Sequence, residues 1–255
     1  MNDIKWIGRT DTPRLEWGYN GEGYQKLHDD ALKRITPEKR SILFRKELTV
    51  NGTLQSAVLS VCGLGFYHLR INGKKVGDYV LTPLETAYRK RVLYDEYDVT
   101  DMLIGGVNAV GVELGNGRYS SPKKYWGWRA AWYGDPCLAL RLTLVYTDGR
   151  RETLETDRDW KCAYGPILKN CYYDGETYDA NREQEGWSTA GFDDSGWQNA
   201  LTVAAPCTSL QKNTYFHLKK HRTLKPSKVL KKLNGRTIYV FSENISSWVR
   251  IRVAG

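Results

Sequence analysis

Residues 66–78, FYHLRINGKKVGD, have the pattern of a tight β-hairpin. Along its first strand, Tyr67, Leu69 and Ile71 alternate with Phe66, His68 and Arg70. Such alternation is typical of a strand with two different faces. The dipeptide Asn72-Gly73 tolerates a positive φ at both central positions of a type I′ turn. Residues 74–80 are expected to continue as the return strand. The alternation predicts β-structure but does not by itself indicate a function.

Alternating or mostly apolar runs on both sides of this hairpin predict further strands. These runs are residues 41–50, 57–64, 136–146 and 151–157, and the run 57–64 is apolar enough to be a central strand. Residues 24–35 instead have apolar side chains at helical spacing, and Thr36-Pro37 ends that helix. The sequence therefore predicts an all-β fold with one short N-terminal helix.

The length and the charge of the chain limit the function classes. With 255 residues the chain can bury one large or two small cores. It carries 38 Lys and Arg against 29 Asp and Glu, a formal charge of +9. This excess is spread out, except in residues 219–222 and 225–232, and no nucleic-acid-binding motif accompanies it. A solvated basic face is the simplest interpretation, an acidic partner or a polysaccharide is the alternative, and nucleic acid is not predicted as a partner.

The cysteines are five in number, widely spaced and without a CxxC pair, which argues against a zinc site and against a disulfide framework. Cys62 and Cys137 lie in apolar strands and are expected to pack as small hydrophobic side chains. Cys162 and Cys171 flank a short loop and could bridge if oxidised. No apolar run approaches about 18 residues, so no membrane span is predicted. Residues 1–8 also lack the apolar run of a signal peptide.

Four motifs follow one another in the chain: INGKKVGD at 71–78, LTPLETAYRKRVLYDEYDVTDML at 81–103, NAVGVELGNGRY at 108–119 and YYDGETYDANRE at 172–183. This ordered series resembles the N-terminal region of bacterial α-L-rhamnosidases. The resemblance implies a galactose-binding-like jelly-roll β-sandwich. It also places the catalytic unit of the family in an α-helical barrel that follows the β-domains, and no segment of this sequence is similar to that barrel. The resemblance allows a cytoplasmic, a periplasmic or a secreted protein.

The predicted jelly-roll domain spans residues 1–208, with the helix as an insertion. Residues 209–255 are expected to be a linker and the truncated start of a second β-sandwich. Residues 237–253 resemble the first strands of the family's next sandwich, although Ser242-Glu243 replaces the usual Gly-Gln before Asn244. A strand pair cannot hold a core alone. We therefore expect these residues to pack on the first domain, to pair with another chain, or to be part of a longer protein.

Residues 118–135, RYSSPKKYWGWRAAWYGD, form a loop rich in large aromatic side chains. Exposing such a loop is costly unless it covers a core or meets a ligand, and both interpretations stay open. Tyr and Trp stack on sugar faces, so this loop is a candidate carbohydrate-binding surface. The predicted contact residues are Asn116, Tyr119, Trp126, Trp128 and Asp135.

Residues 171–181 contain three carboxylates close together, Asp174, Glu176 and Asp179. They could bind a hard cation such as calcium, accept hydrogen bonds from sugar hydroxyls, or cap turns and pair with nearby basic side chains. The resemblance implies a ligand, because some rhamnosidase modules of this jelly-roll type bind L-rhamnose with a calcium ion. The candidate sugar contacts are Tyr173, Asp174 and Glu176, and the candidate calcium ligands are Asp174, Glu176 and Asp179.

Residues 186–200, GWSTAGFDDSGWQNA, look like the WxxxxFDDSxW element of many jelly rolls in glycoside hydrolases. A turn at residues 193–196 would let Trp187, Phe192 and Trp197 pack together. We therefore interpret this element as structural.

No catalytic constellation is visible in the sequence. Glycoside hydrolysis needs two carboxyl groups that flank the scissile bond, and the formal candidates are the pairs Asp174/Glu176 and Asp193/Asp194. Carboxylates in tight turns are more often structural, and the resemblance places the catalytic ones in the barrel. The sequence thus predicts a non-catalytic carbohydrate-binding domain of an α-L-rhamnosidase-like glycoside hydrolase, with a rhamnose-containing oligo- or polysaccharide as its partner. The alternative is a purely structural module without a ligand, which packs against a catalytic domain or forms a homo-oligomer.

Overall fold

A computed structural model defines residues 1, 3–10, 40–120, 133–171, 175–206, 209–232 and 234–252. The helix predicted at residues 24–35 lies outside the described residues. Within them the chain forms 17 strands and two short 3₁₀ turns, Thr100–Met102 and Ala180–Arg182. The strands are β1 (Trp6–Gly8), β2 (Ile42–Val50), β3 (Leu54–Leu64), β4 (Tyr67–Ile71), β5 (Lys74–Lys75), β6 (Val92–Asp98), β7 (Gly106–Leu114), β8 (Cys137–Tyr146), β9 (Arg151–Glu155), β10 (Lys161–Tyr164), β11 (Ile167–Cys171), β12 (Gly175–Tyr178), β13 (Gln198–Asn199), β14 (Leu201–Val203), β15 (Leu210–Lys212), β16 (Lys228–Lys231) and β17 (Thr237–Val240).

Two large sheets pack together as a β-sandwich. The first has the order β14-β1-β8-β3-β6-β15, with β9 beside β8, and the second has the order β13-β10-β2-β7-β4-β5. In the main core, Phe44, Leu69 and Val112 of the second sheet pack with Leu59 and Leu140 of the first. The predicted jelly-roll β-sandwich is therefore confirmed.

The hairpin at Asn72-Gly73 has the predicted turn, with φ angles of 49° and 79°. Along β4 the burial alternates as expected. The return strand is shorter than predicted, because only Lys74–Lys75 pairs with β4. The chain leaves the sheet near Gly77, whose φ is +67° and where a Cβ atom would lie 2.6 Å from Tyr97.

The four further predicted strands are present as β2, β3, β8 and β9. Strand β3 pairs with β6 on one side and with β8 on the other, so its central position is confirmed. Cys62 and Cys137 are buried among apolar side chains, as predicted. Cys162 is buried and carries a free thiol in this structure, and its bridging to Cys171 on oxidation stays a prediction.

The chain divides into two compact units, residues 1–218 and residues 219–255. Strand β15 lies beyond the predicted domain boundary at residue 208, yet it pairs in parallel with β6 of the first unit. In the second unit, β16 and β17 form an antiparallel hairpin, at the place where the sequence resembles the start of a second sandwich. Over the described ranges, no helix is both long enough and apolar enough to cross a membrane.

Candidate functional site

The residues just before the two candidate sugar-binding segments, 118–135 and 171–181, meet near the C-terminal end of β7. The backbone N–H of Asn116 donates to Asn170 Oδ1 over 2.6 Å, and Asn116 Nδ2 donates to the Asn170 carbonyl over 3.3 Å. Asn170 lies on β11, directly opposite Glu176 on β12. The structure thus brings the predicted site residues Asn116 and Glu176 close together through Asn170.

A close backbone approach holds this junction in place. A Cβ atom on Gly65 would lie 2.1 Å from both the carbonyl carbon and the carbonyl oxygen of Asn116. Gly117, two residues after Gly115, has a φ of +48° and faces Gly65 and Phe66. Because only glycine fits at residue 65, the loop after β7 can pack directly on the connection between β3 and β4.

Tyr119 belongs to a cluster of three tyrosine rings. It is 1% exposed, its ring meets Tyr88 edge-on at 5.2 Å, and it stacks with Tyr133 at 6.1 Å. Burial is also the main reason why the pKa of the Tyr88 hydroxyl lies well above its usual value. Asn116 is likewise only 1% exposed. Asn116 and Tyr119 are therefore both buried and do not present a face to solvent.

The polar groups around this cluster are more accessible. Asp135 is half-buried and accepts a hydrogen bond of 2.8 Å from Thr10 Oγ1. Arg118 pairs with Glu85 at 3.3 Å. Burial raises the pKa of Glu85, although the Arg118 guanidinium acts in the opposite direction. Arg118, Glu85 and Asp135 form the polar rim of this cluster. They offer both donors and acceptors that a sugar hydroxyl could use.

The predicted calcium ligands are only partly described. Glu176 is exposed. Asp179 accepts hydrogen bonds from the Asn181 backbone N–H at 3.1 Å and from Arg182 at 3.0 Å. Burial raises the pKa of Asp179, but the hydrogen bonds from Arg182 and Asn181 outweigh it and lower that pKa overall. Asp179 thus caps a turn and forms an ion pair, which is one of the three interpretations left open by the sequence.

Four of the predicted site residues lie outside the described residues: Trp126, Trp128, Tyr173 and Asp174. In the part of the chain that the structure describes, no three His, Cys, Asp or Glu side chains are grouped as a metal site would require. The sugar and calcium assignments therefore stay predictions.

The FDDS element is structural, as predicted. Trp187 and Trp197 stack at 6.4 Å, and Phe192 meets Trp197 edge-on at 5.7 Å. Asp194 pairs with the buried Arg45, and Asp193 accepts a hydrogen bond from the backbone N–H of Ser195 at 3.0 Å. Both carboxylates thus have structural partners that hold the turn.

One buried carboxylate was missed by the sequence analysis. Asp95 lies on β6 with its side chain 0% exposed, between the two buried residues Leu93 and Tyr97 in the alternation of that strand. An acidic residue in the inward-facing row of a strand is a local conflict that could have marked it. Its partners include Asn213 and His217, which are more than a hundred residues away in sequence.

Comparison with known proteins gives a consistent result. The sequence profile of the family described as "Alpha-L-rhamnosidase N-terminal domain" matches residues 52–221. An α-L-rhamnosidase of Formosa agariphila is 35% identical over 268 residues, which cover 99% of this chain and 27% of that protein. The chain spans about a quarter of the length of the curated relatives it matches, from 19% to 27%.

Solved structures are similar over the same region. The α-L-rhamnosidase of Dictyoglumus thermophilum has a TM-score of 0.75 and 33% identity, covering 94% of this chain and 26% of that chain. The α-L-rhamnosidase of Streptomyces avermitilis, solved in complex with L-rhamnose, has a TM-score of 0.72 and 31% identity. That match covers 76% of this chain and 19% of that chain.

Proposed function

Because the chain belongs to the alpha-L-rhamnosidase N-terminal domain family, we propose that its first unit is a non-catalytic carbohydrate-binding domain for rhamnose-containing oligo- or polysaccharides. The observation that supports this most directly is the junction between Asn116 and Asn170, which links the chain just before the aromatic loop to the β11–β12 hairpin. A similar chain from Streptomyces avermitilis was solved in complex with L-rhamnose, which fits a sugar of this class.

The described residues suit such a role through the packing of the tyrosine cluster and through the polar groups beside it. The rings of Tyr88, Tyr119 and Tyr133 pack together and the Tyr133 N–H donates to the Tyr119 carbonyl at 3.0 Å, so the described residues on either side of positions 121–132 are held next to each other. Groups that are already held in place lose less conformational entropy when a ligand binds. Asp135 and Arg118 at the rim would then form hydrogen bonds with sugar hydroxyls. Trp126, Trp128 and Tyr173 are the proposed stacking residues.

Calcium is proposed as an accessory ion, held by the carboxylates of Asp174, Glu176 and Asp179. Oxygen ligands of this kind are those that calcium prefers. Asp179 would have to exchange its contact with Arg182 for the ion. The role of calcium would be to fix the tip of the β11–β12 hairpin beside the sugar.

The test is calorimetric titration of L-rhamnose into the protein, first with calcium and then with a chelator. We expect saturable binding in the millimolar range that weakens when calcium is removed. L-Fucose, titrated under the same conditions, controls for nonspecific heat. Absence of binding heat for L-rhamnose and for rhamnosides with calcium present would refute the carbohydrate-binding role.

A structural module without a ligand is the second candidate. Phe216 is 99% exposed and lies beside the exposed side chains of Tyr215 and Leu218, which is unusual for a surface that meets only water. In this case the apolar side chains would pack against a catalytic domain or against a second copy of the chain. Sedimentation equilibrium separates these partners, because a homo-oligomer would show concentration-dependent association that Phe216→Ser abolishes.

A further inference from the structure

Residues 209–218, here called the strap, run along the edge of the first sheet and then across the loop that follows β5. Val92 N–H donates to the Ser209 carbonyl at 2.9 Å, and Asn213 N–H donates to the Tyr94 carbonyl at 2.8 Å. At the other end, Val80 N–H donates to the Leu218 carbonyl at 3.0 Å. Between these points the strap contributes the short parallel strand β15.

The centre of the attachment is the buried carboxylate of Asp95. Its Oδ2 atom accepts hydrogen bonds from Tyr67, at 2.8 Å, and from Thr82, which both belong to the sandwich. Burial, followed by the neighbouring Asp95 charge, holds the pKa of the Tyr67 hydroxyl well above its usual value, so this group stays a donor.

The other oxygen of Asp95 is used by the strap. Asn213 Nδ2 donates to Oδ1 at 2.9 Å, and His217 Nε2 donates to the same atom at 2.7 Å. The His217 ring also stacks on Tyr79 with centroids 3.7 Å apart. One carboxylate is therefore divided between the sandwich and the strap, one oxygen for each.

Apolar burial contributes little to this attachment. The large apolar side chains of the strap are mostly exposed: Tyr215, Phe216 and Leu218. Leu210 differs from these three, because it is partly buried against the core cluster that contains Val92 and Cys62. A segment that is held by polar contacts and buries few apolar groups typically detaches at a low free-energy cost while the rest of the protein stays folded. Opening would also let water replace the strap's donors at Asp95 Oδ1.

We propose that the strap opens and closes as one unit while the sandwich stays folded, and that Asp95 is its lock. The strap leads directly to residue 219, the first residue of the second unit. Releasing its ten residues would add up to about 33 Å of free chain at roughly 3.3 Å per residue. The lock thus decides whether these ten residues form the edge of the first sheet or free chain, a role that goes beyond carbohydrate binding.

Hydrogen exchange followed by mass spectrometry on the full chain tests this. The amides of Val80, Val92 and Asn213 form the hydrogen bonds between the strap and the rest of the first unit. In the wild type we expect these three amides to exchange together, and faster than the amides that pair β3 with β8. The variant His217→Ala removes one donor from the strap and leaves Tyr67 and Thr82 on Asp95. It should accelerate exchange of these three amides about 10- to 100-fold, the range for hydrogen bonds to charged groups, and leave the amides of β3 and β8 unchanged.

The matched control is Lys212→Ala. Lys212 lies on the same strap and pairs with Glu96 at the surface, so its loss should change exchange by less than about fivefold. The proposal is overturned if, in the wild type, the amides of Val80, Val92 and Asn213 are as protected as those that pair β3 with β8. It is also overturned if His217→Ala accelerates exchange of these two sets of amides equally. Should His217→Ala fail to fold, Asn213→Ala takes its place, because Asn213 is the other strap donor to Asp95 Oδ1 and the same two outcomes apply.

Discussion

Arg45 on β2 donates to the carboxylate of Asp194, and this ion pair fastens the FDDS element to the sheet face opposite the core. The Arg45 side chain is 2% exposed. It also donates to the carbonyls of Trp187, at 2.9 Å, and Thr189, at 3.1 Å. One buried guanidinium therefore donates to a carboxylate and to two backbone carbonyls of the FDDS element.

Replacing Arg45 should destabilise the first unit strongly. Arg45→Met keeps the length of the side chain but leaves Asp194 and the two carbonyls without their donor. Removing one partner of a buried ion pair costs about 3 to 5 kcal/mol, and we expect the free energy of unfolding in urea to fall by about 3 kcal/mol.

Lys46→Met is the matched control for this change. Lys46 is the next residue on the same strand and pairs with Asp159 at 3.9 Å near the surface. Its loss should cost less than about 1 kcal/mol. Equal effects of the two substitutions would contradict the anchoring role of Arg45.

Gly65→Ala should disrupt the junction at Asn116. The new methyl group would lie 2.1 Å from the Asn116 carbonyl, so the backbone of one loop must move. Overpacking of this kind costs about 1 to 3 kcal/mol. Thermal unfolding should show a lower midpoint for Gly65→Ala than for the wild type.

Gly105→Ala is the comparison for that experiment, because a Cβ atom there has no neighbour within 4 Å. Its midpoint should be unchanged or slightly raised, since alanine restricts the unfolded chain by about 0.4 to 1 kcal/mol. If both variants melt alike, the close approach at Gly65 does not constrain the fold.

Asn170→Ala should weaken both the stability of the first unit and the proposed sugar binding. The substitution removes the acceptor of the Asn116 N–H and leaves that buried donor without its side-chain partner. Such a loss costs about 1 to 3 kcal/mol. We expect a lower free energy of unfolding and a weaker affinity for L-rhamnose in calorimetry.

The exposed residue Asn199 provides the control, because its side chain accepts a hydrogen bond of 2.8 Å from Lys161 at the surface. Asn199→Ala should leave both stability and affinity within error of the wild type. A destabilised Asn170→Ala protein with normal affinity would show that the junction supports the fold and not the ligand.

Local sequence signals were sufficient for the hairpin at Asn72-Gly73 and for the packing of Trp187 with Trp197, because both depend on residues close in sequence. The return strand after Lys75 was predicted too long, since the close contact of Gly77 with Tyr97 is a tertiary feature. Asn170 and His217 act through partners 54 and 122 residues away. Hydrophobic periodicity describes only the local strand or helix pattern, so it could not predict contacts between residues so far apart in sequence.

The buried thiol of Cys162 predicts a loss of stability at alkaline pH. Burial raises its pKa to about 11 from the usual 9.0. Below pH 9 the thiol is protonated in both the folded and the unfolded chain, so it has no effect there. Between pH 9 and about 11 the unfolded chain releases the proton while the folded chain keeps it. The folded state then binds more protons, and stability falls as pH rises through this window.

Urea unfolding at pH 7, 9 and 10.5 measures this effect, with Cys162→Ala as the comparison. Burial also raises the pKa of the Tyr67 and Tyr97 hydroxyls, so the wild type and the variant should both lose stability above pH 9. The wild type should lose more, because only it retains the buried thiol. In addition, a thiol reagent at pH 8 should reach Cys162 only after unfolding, since the buried thiol is neutral and shielded. Rapid labelling of Cys162 in the folded protein, or identical pH profiles for the two proteins, would contradict the burial of this β10 residue in the core.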